Sequence, residues 1–289
     1  MMAPLVCCDL DRTLIYSAGA LLLDGEDRLA PALTVAEVYQ GRPLSFLTRA
    51  ADVLLAEIAA ACTFVPVTTR TMAQYERIRL PGPPPRYAVT TNGGRILVDG
   101  EPDPVWSDHL AQTLDSNCSP LAEIAAKLAG PGYAHWMLRL RDAEELFVYA
   151  IVERDLLSPA DLAGLELWCA ERGWTVSLQG RKLYCVPEAI TKEAAVAEIA
   201  VRSGGSPLIA AGDSLLDRGM LLAADHGLRP AHGELEAAGF LAPQLAVTAA
   251  RGVLAGEEIA RRIHELVFAP DAAAVAGAGL TAALQPAPH

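Results

Sequence analysis

Three short apolar runs, each stopped abruptly by small polar and acidic residues, constrain this chain more than any other feature. Pro4 to Cys8 runs into Asp9-Leu10-Asp11, Thr63 to Val67 into Thr68-Thr69-Arg70, and Pro207 to Ala211 into Gly212-Asp213-Ser214. Continuous rather than alternating apolar residues over so short a span suit strands buried on both faces. Helical periodicity lies between them, over Ser45 to Ala61 (apolar at Leu47, Ala51, Leu54, Leu55 and Ile58) and over Thr191 to Arg202. A further strand is expected from Tyr87 to Thr91, entered from the stiff Pro81-Gly82-Pro83-Pro84-Pro85 and left through Asn92-Gly93-Gly94. Strands alternating with helices predict an α/β protein, with a Rossmann-like three-layer core around a parallel sheet.

The pattern changes after Asp99-Gly100. Trp106 to Ala129 reads as helix broken near Cys118 to Pro120. His135 to Leu140 and Leu146 to Val152 alternate like an antiparallel pair around Arg141 to Glu145. Ser158 before Pro159 is a good N-cap and first-turn pair for a helix reaching Arg172. Trp174 to Leu178 and Lys182 to Val186 form a second hairpin. Residues 100–181 therefore read as an α+β insertion of helix-strand-strand, helix-strand-strand form, within a core of 1–99 plus 182–289. Asp271 to His289 is Ala/Gly/Pro-rich and reads as a docked or frayed tail.

Composition narrows the class. Hydrophobic residues make up 52% and charged residues 20% of 289, enough apolar material for a large core and too much for a disordered chain. The net charge of −12 makes nucleic acid and anionic membranes poor partners, so a site for an anion must supply its own cation. No apolar run approaches a membrane-spanning length, and the N-terminus lacks the basic stretch of a secretory signal. The six cysteines show no metal-binding spacing, and a reduced, cytoplasmic location is expected.

The polar clusters carry the chemistry. Open parallel sheets bind ligands beyond the carboxyl ends of their strands. Asp9 and Asp11 stand there together and repel unless a cation or proton separates them, with Thr13 just beyond. Thr68 and Thr69 offer a hydroxyl and free N–H groups at a helix N-terminus, suited to phosphate oxygens, although Thr68 alone reads more readily as a plain helix cap. Lys192 opens a helix, where a cation makes sense if it faces an anion. Asp213 supplies a third carboxylate for a divalent ion, with Ser214 and Asp217 behind it.

Taken in order, DLDRTL, VTTRT, the lysine of AITKEAA and GDSLLD resemble the four motifs of the haloacid dehalogenase-like (HAD) phosphatase superfamily. The insertion between the second and third resembles the cap of its sucrose-phosphate phosphatase, phosphomannomutase and Cof-type branch, and AVTTNGGRILVDG is similar to the entry into that cap. The resemblance implies an Mg²⁺-dependent phosphomonoester hydrolase acting through an aspartyl-phosphate. Asp9 is then the nucleophile and Asp11 the acid and base. Mg²⁺ is held by Asp9, the Asp11 carbonyl and Asp213. Leu10, Thr68, Thr69 and Lys192 hold the phosphoryl oxygens, with Thr13, Ser214 and Asp217 supporting them. The substrate implied is a sugar phosphate or other small phosphorylated metabolite, with Arg70 and Asn92 as substrate contacts. Arg139, Arg141, Arg181 and Lys182, in the turns of the insertion, are further candidates, as is the flap segment Thr34 to Thr48. Three positions depart from the pattern: Arg12 and Thr69 stand where Gly is common, and Leu216 where Asn is. A phosphomutase of the same fold and a silent phosphate-binding or signalling protein are the alternatives.

Overall fold

The computed structural model describes residues 3–204 and 206–268, so the expected tail from Asp271 lies outside the described residues. The N-terminal part runs β1 (Leu5–Cys8), β2 (Tyr16–Ser17), β3 (Leu33–Tyr39), β4 (Arg42–Thr48), α1 (Arg49–Ala61), β5 (Thr63–Pro66), α2 (Met72–Tyr75), β6 (Tyr87–Thr90), β7 (Arg95–Val98) and β8 (Glu101–Pro102). The insertion follows as α3 (Pro104–Asn117), α4 (Leu121–Leu128), β9 (Met137–Ala143), β10 (Phe147–Val152), α5 (Pro159–Ala170), β11 (Trp174–Gln179) and β12 (Lys182–Pro187). The chain returns through α6 (Lys192–Ser203), β13 (Leu208–Ala211), α7 (Arg218–Ala223), β14 (His226–Arg229), α8 (Glu234–Ala237), β15 (Leu245–Val247) and α9 (Val253–Phe268).

The central sheet has the order β15-β14-β13-β1-β5, and every pairing in it is parallel. Its middle strand shows why the apolar runs are continuous. Val6 and Cys8 pack with Leu55 and Ile58 of α1 and Ile259 and Ile263 of α9. Leu5 and Cys7 pack with Ala195, Val196 and Ile199 of α6 and Met220 and Leu221 of α7. Both faces are therefore dry, as a three-layer α/β core requires. Strand β6 reaches this sheet through the Val67–Val89 bridge and otherwise pairs with β7.

The insertion builds an antiparallel sheet ordered β11-β12-β10-β9. Helices cover one face, burying Trp136, Trp174, Leu165, Cys169, Leu183 and Cys185. All six cysteines are free, four of them buried. No helix among the described residues is long and apolar enough to cross a membrane.

Several boundaries move. The helix expected from Ser45 begins at Arg49, because Ser45 to Thr48 pair with β3 and Thr48 caps α1 by accepting from Ala51 N at 3.1 Å. The flap is thus a β3–β4 hairpin with β2 added along β4. Arg141 and Asp142 lie in β9, and the turn falls at Glu144 and Glu145, both left-handed. Lys182 to Val186, placed with the core at the boundary of 182, pair with β10 and β11, so the second sheet continues to Pro187.

Candidate active site

The carboxyl ends of β1, β5 and β13 bring Asp9, Thr68 and Asp213 to one edge. Asp9 follows β1 directly, donating its N–H to Ala211 O at 2.9 Å. The next turn folds back on itself, with Leu14 N and Ile15 N both donating to Leu10 O. That turn carries the Thr13 hydroxyl under Asp9, where it donates to Oδ2 at 3.0 Å. Arg12 takes a left-handed φ of 65°, which accounts for the preference for Gly at this position. Its guanidinium lies 3.4 Å from Asp213.

Lys192 is fully buried, and its Nζ donates to Asp9 Oδ1 at 2.5 Å and Asp217 Oδ1 at 2.6 Å. Thr191 caps α6 by accepting from Ala194 N, which fixes Lys192 at the first turn. The Asn92-Gly93 turn presses on this junction. Asn92 Nδ2 donates to Ile190 O, and a Cβ on Gly93 would stand 2.1 Å from Thr191 O. Gly93 is thus required both by contact and by its φ of +100°. Asp217 is likewise held: its Oδ2 accepts from the N–H groups of Asp213 and Ser214 and from Ser214 Oγ. A Cβ on Gly212 would meet the Asp217 side chain at 2.4 Å, so the tight turn also needs glycine.

One oxygen each of Asp9, Asp213 and Asp217 lies within 4.8 Å of the others. Burial pushes the Asp9 carboxyl above its ordinary range, against the pull of Lys192. Burial and the neighbouring carboxylates likewise push Asp213 well above its ordinary range. Burial alone would lower Lys192, but the charges of Asp217 and Asp9 hold it above its ordinary value. Three buried carboxylates facing one buried ammonium are short of positive charge, and an all-oxygen donor set of this kind fits a hard divalent cation. Asp9, Asp213 and Asp217 can each offer one oxygen to such an ion.

Thr68 is buried, with its Oγ1 accepting from Arg70 N at 3.2 Å. Among the described residues no protein acceptor takes the N–H of Leu10 or Thr69. These groups are therefore available to an anion beside Asp9. Thr69 does not adopt a positive φ, so this turn does not demand the common Gly.

Arg70 behaves differently from the expected substrate contact. Its Nε and Nη2 grip Asp11 at 2.7 and 2.8 Å, and Nη1 reaches Glu37 at 2.8 Å. Glu37, buried in the flap hairpin, also accepts from Arg77 Nε and Ser45 Oγ. Burial would raise the Asp11 carboxyl, but the Arg70 bonds and charge hold it below its ordinary range. Asp11 is thereby held by Arg70, with its carboxylate half exposed. Glu37 has no motif to mark it; its role depends on the hairpin that buries it. A second unmarked group is His232. It accepts from Gly252 N at Nδ1 and contacts Arg12 O through Nε2, tying the loop beneath Asp213 to the β1 turn.

The second sheet is docked on this edge. Glu144 of the β9–β10 turn accepts from Met72 N at 2.6 Å and Thr91 Oγ1 at 2.7 Å. Arg139 and Arg141 stay exposed on β9, and Arg181 turns back to Val152 O and Glu153.

No family model and no curated protein sequence matches the chain. Solved structures do. The sucrose-phosphatase of Synechocystis, in complex with sucrose and phosphate, is similar with a TM-score of 0.63 and 16% identity, covering 91% of this chain and 98% of that one. The chain has the haloacid dehalogenase-like fold. Other structures with this fold include a trehalose-6-phosphate phosphatase related protein, at a TM-score of 0.53 and 16% identity over 91% of this chain and 97% of the other. A Bacteroides thetaiotaomicron protein of the haloalkanoate phosphatase superfamily matches at 0.51 and 13%, covering 92% and 96%. The parallel sheet with inserted antiparallel sheet expected from the motifs is therefore the fold observed.

Proposed function

We propose that this protein is a phosphomonoester hydrolase that forms an aspartyl-phosphate on Asp9, acts on a small phosphorylated metabolite and requires Mg²⁺. The observation that carries the reading is the buried Lys192 ammonium bridging Asp9 and Asp217 beside Asp213. Such an arrangement orients one carboxylate, leaves the site short of positive charge, and lies beside free N–H groups. The similarity in fold to sugar-phosphate phosphatases supports the same reading. Residues 100–187 act as its cap.

Asp9, Asp213 and the Asp11 carbonyl would hold Mg²⁺, which supplies positive charge against the phosphoryl oxygens. The protein's own groups do the rest. Lys192 and Thr13 fix the two Asp9 oxygens. Thr68 Oγ1 and the N–H groups of Leu10 and Thr69 bind phosphoryl oxygens. An Asp9 oxygen attacks phosphorus in line as the bond to the leaving oxygen breaks, and that oxygen takes a proton from Asp11. A water then attacks phosphorus and gives a proton to Asp11, and the bond to Asp9 breaks to release phosphate. For both steps Asp11 must leave the Arg70 grip, with Glu37 retaining the guanidinium.

Phosphate release from a panel of phosphomonoesters, with Mg²⁺ or with EDTA, tests the assignment. Hydrolysis that needs Mg²⁺ is expected. No release from any ester, or release undiminished by EDTA, contradicts it.

A further inference from the structure

The β9–β10 turn meets the core at a place where the backbone is strained on both sides. In the core, Thr91, Asn92 and Gly93 all take positive φ, at 52°, 58° and 100°. Thr91 and Asn92 are buried. A β-branched residue rarely adopts this conformation, and such an outlier persists only where its surroundings hold it. Across the contact, Glu144 and Glu145 are left-handed as well, each at 59°.

One carboxylate joins the two turns. Glu144 Oε2 accepts from Thr91 Oγ1 at 2.7 Å, and Oε1 accepts from Met72 N at 2.6 Å. Arg95 Nε stands 3.8 Å from Oε2. The hairpin is closely seated, because a Cβ on Gly94 would stand 2.6 Å from Leu146 Cδ1.

The strained core turn in its turn holds the phosphate side of the site. Asn92 N donates to Thr68 O at 3.0 Å, and Thr91 N donates to Arg70 O at 2.7 Å. A peptide unit is planar and trans, so the Thr68 carbonyl and the Thr69 N–H point in opposite directions from one rigid plane. Pinning that carbonyl from behind therefore aims the Thr69 N–H, one of the two groups available to an anion beside Asp9. Glu144 reaches both ends of the segment 68–72, Met72 directly and Thr68 through the Thr91-Asn92 turn.

We propose that Glu144 is a positioning residue: seating the β9–β10 turn on the core completes the phosphate cradle, by fixing the left-handed turn that aims the Thr69 N–H. The inference rests on the phosphohydrolase reading of the Asp9 edge, and it adds a coupling between the inserted sheet and the phosphoryl group. Although the inserted sheet carries Glu144, its effect falls on all phosphomonoesters alike, because the Thr69 N–H binds the phosphoryl group and not the alcohol.

The test uses the full-length protein with Mg²⁺ and inorganic phosphate as the probe. Phosphate has no alcohol part, so a contact that only stabilises the fold leaves its affinity unchanged. Calorimetry should show phosphate binding weakened about tenfold in Glu144→Ala and in Thr91→Val, with kcat for an aryl phosphate lowered to a similar degree. Thr91→Ser keeps the hydroxyl and should bind phosphate like the parent. Both losses come from one broken bond, so the double variant Glu144→Ala with Thr91→Val should lose little more than either single one. Thr91→Val is nearly isosteric and decides the matter by itself if Glu144→Ala does not fold. Phosphate affinity unchanged in the folded variants, or losses that simply add in the double variant, overturns the positioning role, and the phosphohydrolase reading stands as long as the parent hydrolyses the aryl phosphate. A parent that neither hydrolyses an ester nor binds phosphate removes both.

Discussion

The two sheets that face each other across the site are finished to different degrees. At the edge of the parallel sheet, the charged groups are bound to one another. Lys192 holds Asp9 and Asp217, Asp217 holds the Asp213-Ser214 turn, and Arg70 holds Asp11 and Glu37. On the open face of the antiparallel sheet, Ser177 Oγ and Gln179 Nε2 lack partners and Lys182 has no counter-ion among the described residues. A preorganised edge suits chemistry common to every phosphomonoester. A face with unmet polar groups suits recognition of whatever alcohol is attached. Substitutions in the first region should therefore slow all substrates alike, and those in the second should reorder them.

The largest effect is expected at Asp9. Asp9→Asn preserves shape but cannot form the acyl-phosphate, so every ester should lose more than about a thousandfold in kcat. A loss confined to some esters would break the division between the two regions. Asp213→Ala should cost about a hundredfold and shift half-saturation by Mg²⁺ upward, again without changing substrate ranking, which a metal titration reads directly. Arg70→Lys replaces a fork with a point charge and leaves Asp11 less well held. We expect about a tenfold fall in kcat with an unchanged substrate ranking. A changed preference would move Arg70 from positioning Asp11 to contacting substrate.

The smallest effect is on stability. Burial alone would raise the Glu37 carboxyl, but bonds from Arg70 and Arg77 hold it below its ordinary range. Its contribution is therefore present at neutral pH, begins to fade at the ordinary glutamate value and is lost as pH falls on through the lowered folded value. Glu37→Gln should lower unfolding free energy by about 1–3 kcal/mol at neutral pH, with a smaller difference near about pH 4. Denaturant melts at the two pH values measure it. An equal difference at both would mean that the carboxylate charge does not matter there.

The sequence made the first region far more legible than the second. Asp9, Thr68 and Asp213 each follow a short apolar run, and parallel strands deliver their ends to one edge, so local pattern was enough to predict their meeting. Lys192 was marked by its place behind Thr191 at a helix start. Register and burial were not local. Glu37 sits mid-strand in a hairpin whose last residues, Ser45 to Thr48, read as helix in the sequence, and nothing in its neighbours reveals that two arginines converge on it. Lys182 reads as the first residue of a strand beside a turn, and a one-residue choice of pairing decides which side of the sheet its side chain faces. Arg70 follows a strand end, but its partner Glu37 lies in a different element, so the ion pairs it makes are hidden in the sequence.

The claim on which the rest depends is that the carboxyl edge transfers a phosphoryl group to Asp9. Acid-quenching the protein during turnover of an aryl phosphate and mapping the peptides by mass spectrometry tests it directly. The account predicts one phosphoryl group on the peptide carrying Asp9, absent from Asp9→Asn and absent without Mg²⁺. Turnover with an unmodified Asp9 peptide, or a phosphoryl group on another residue, would contradict it.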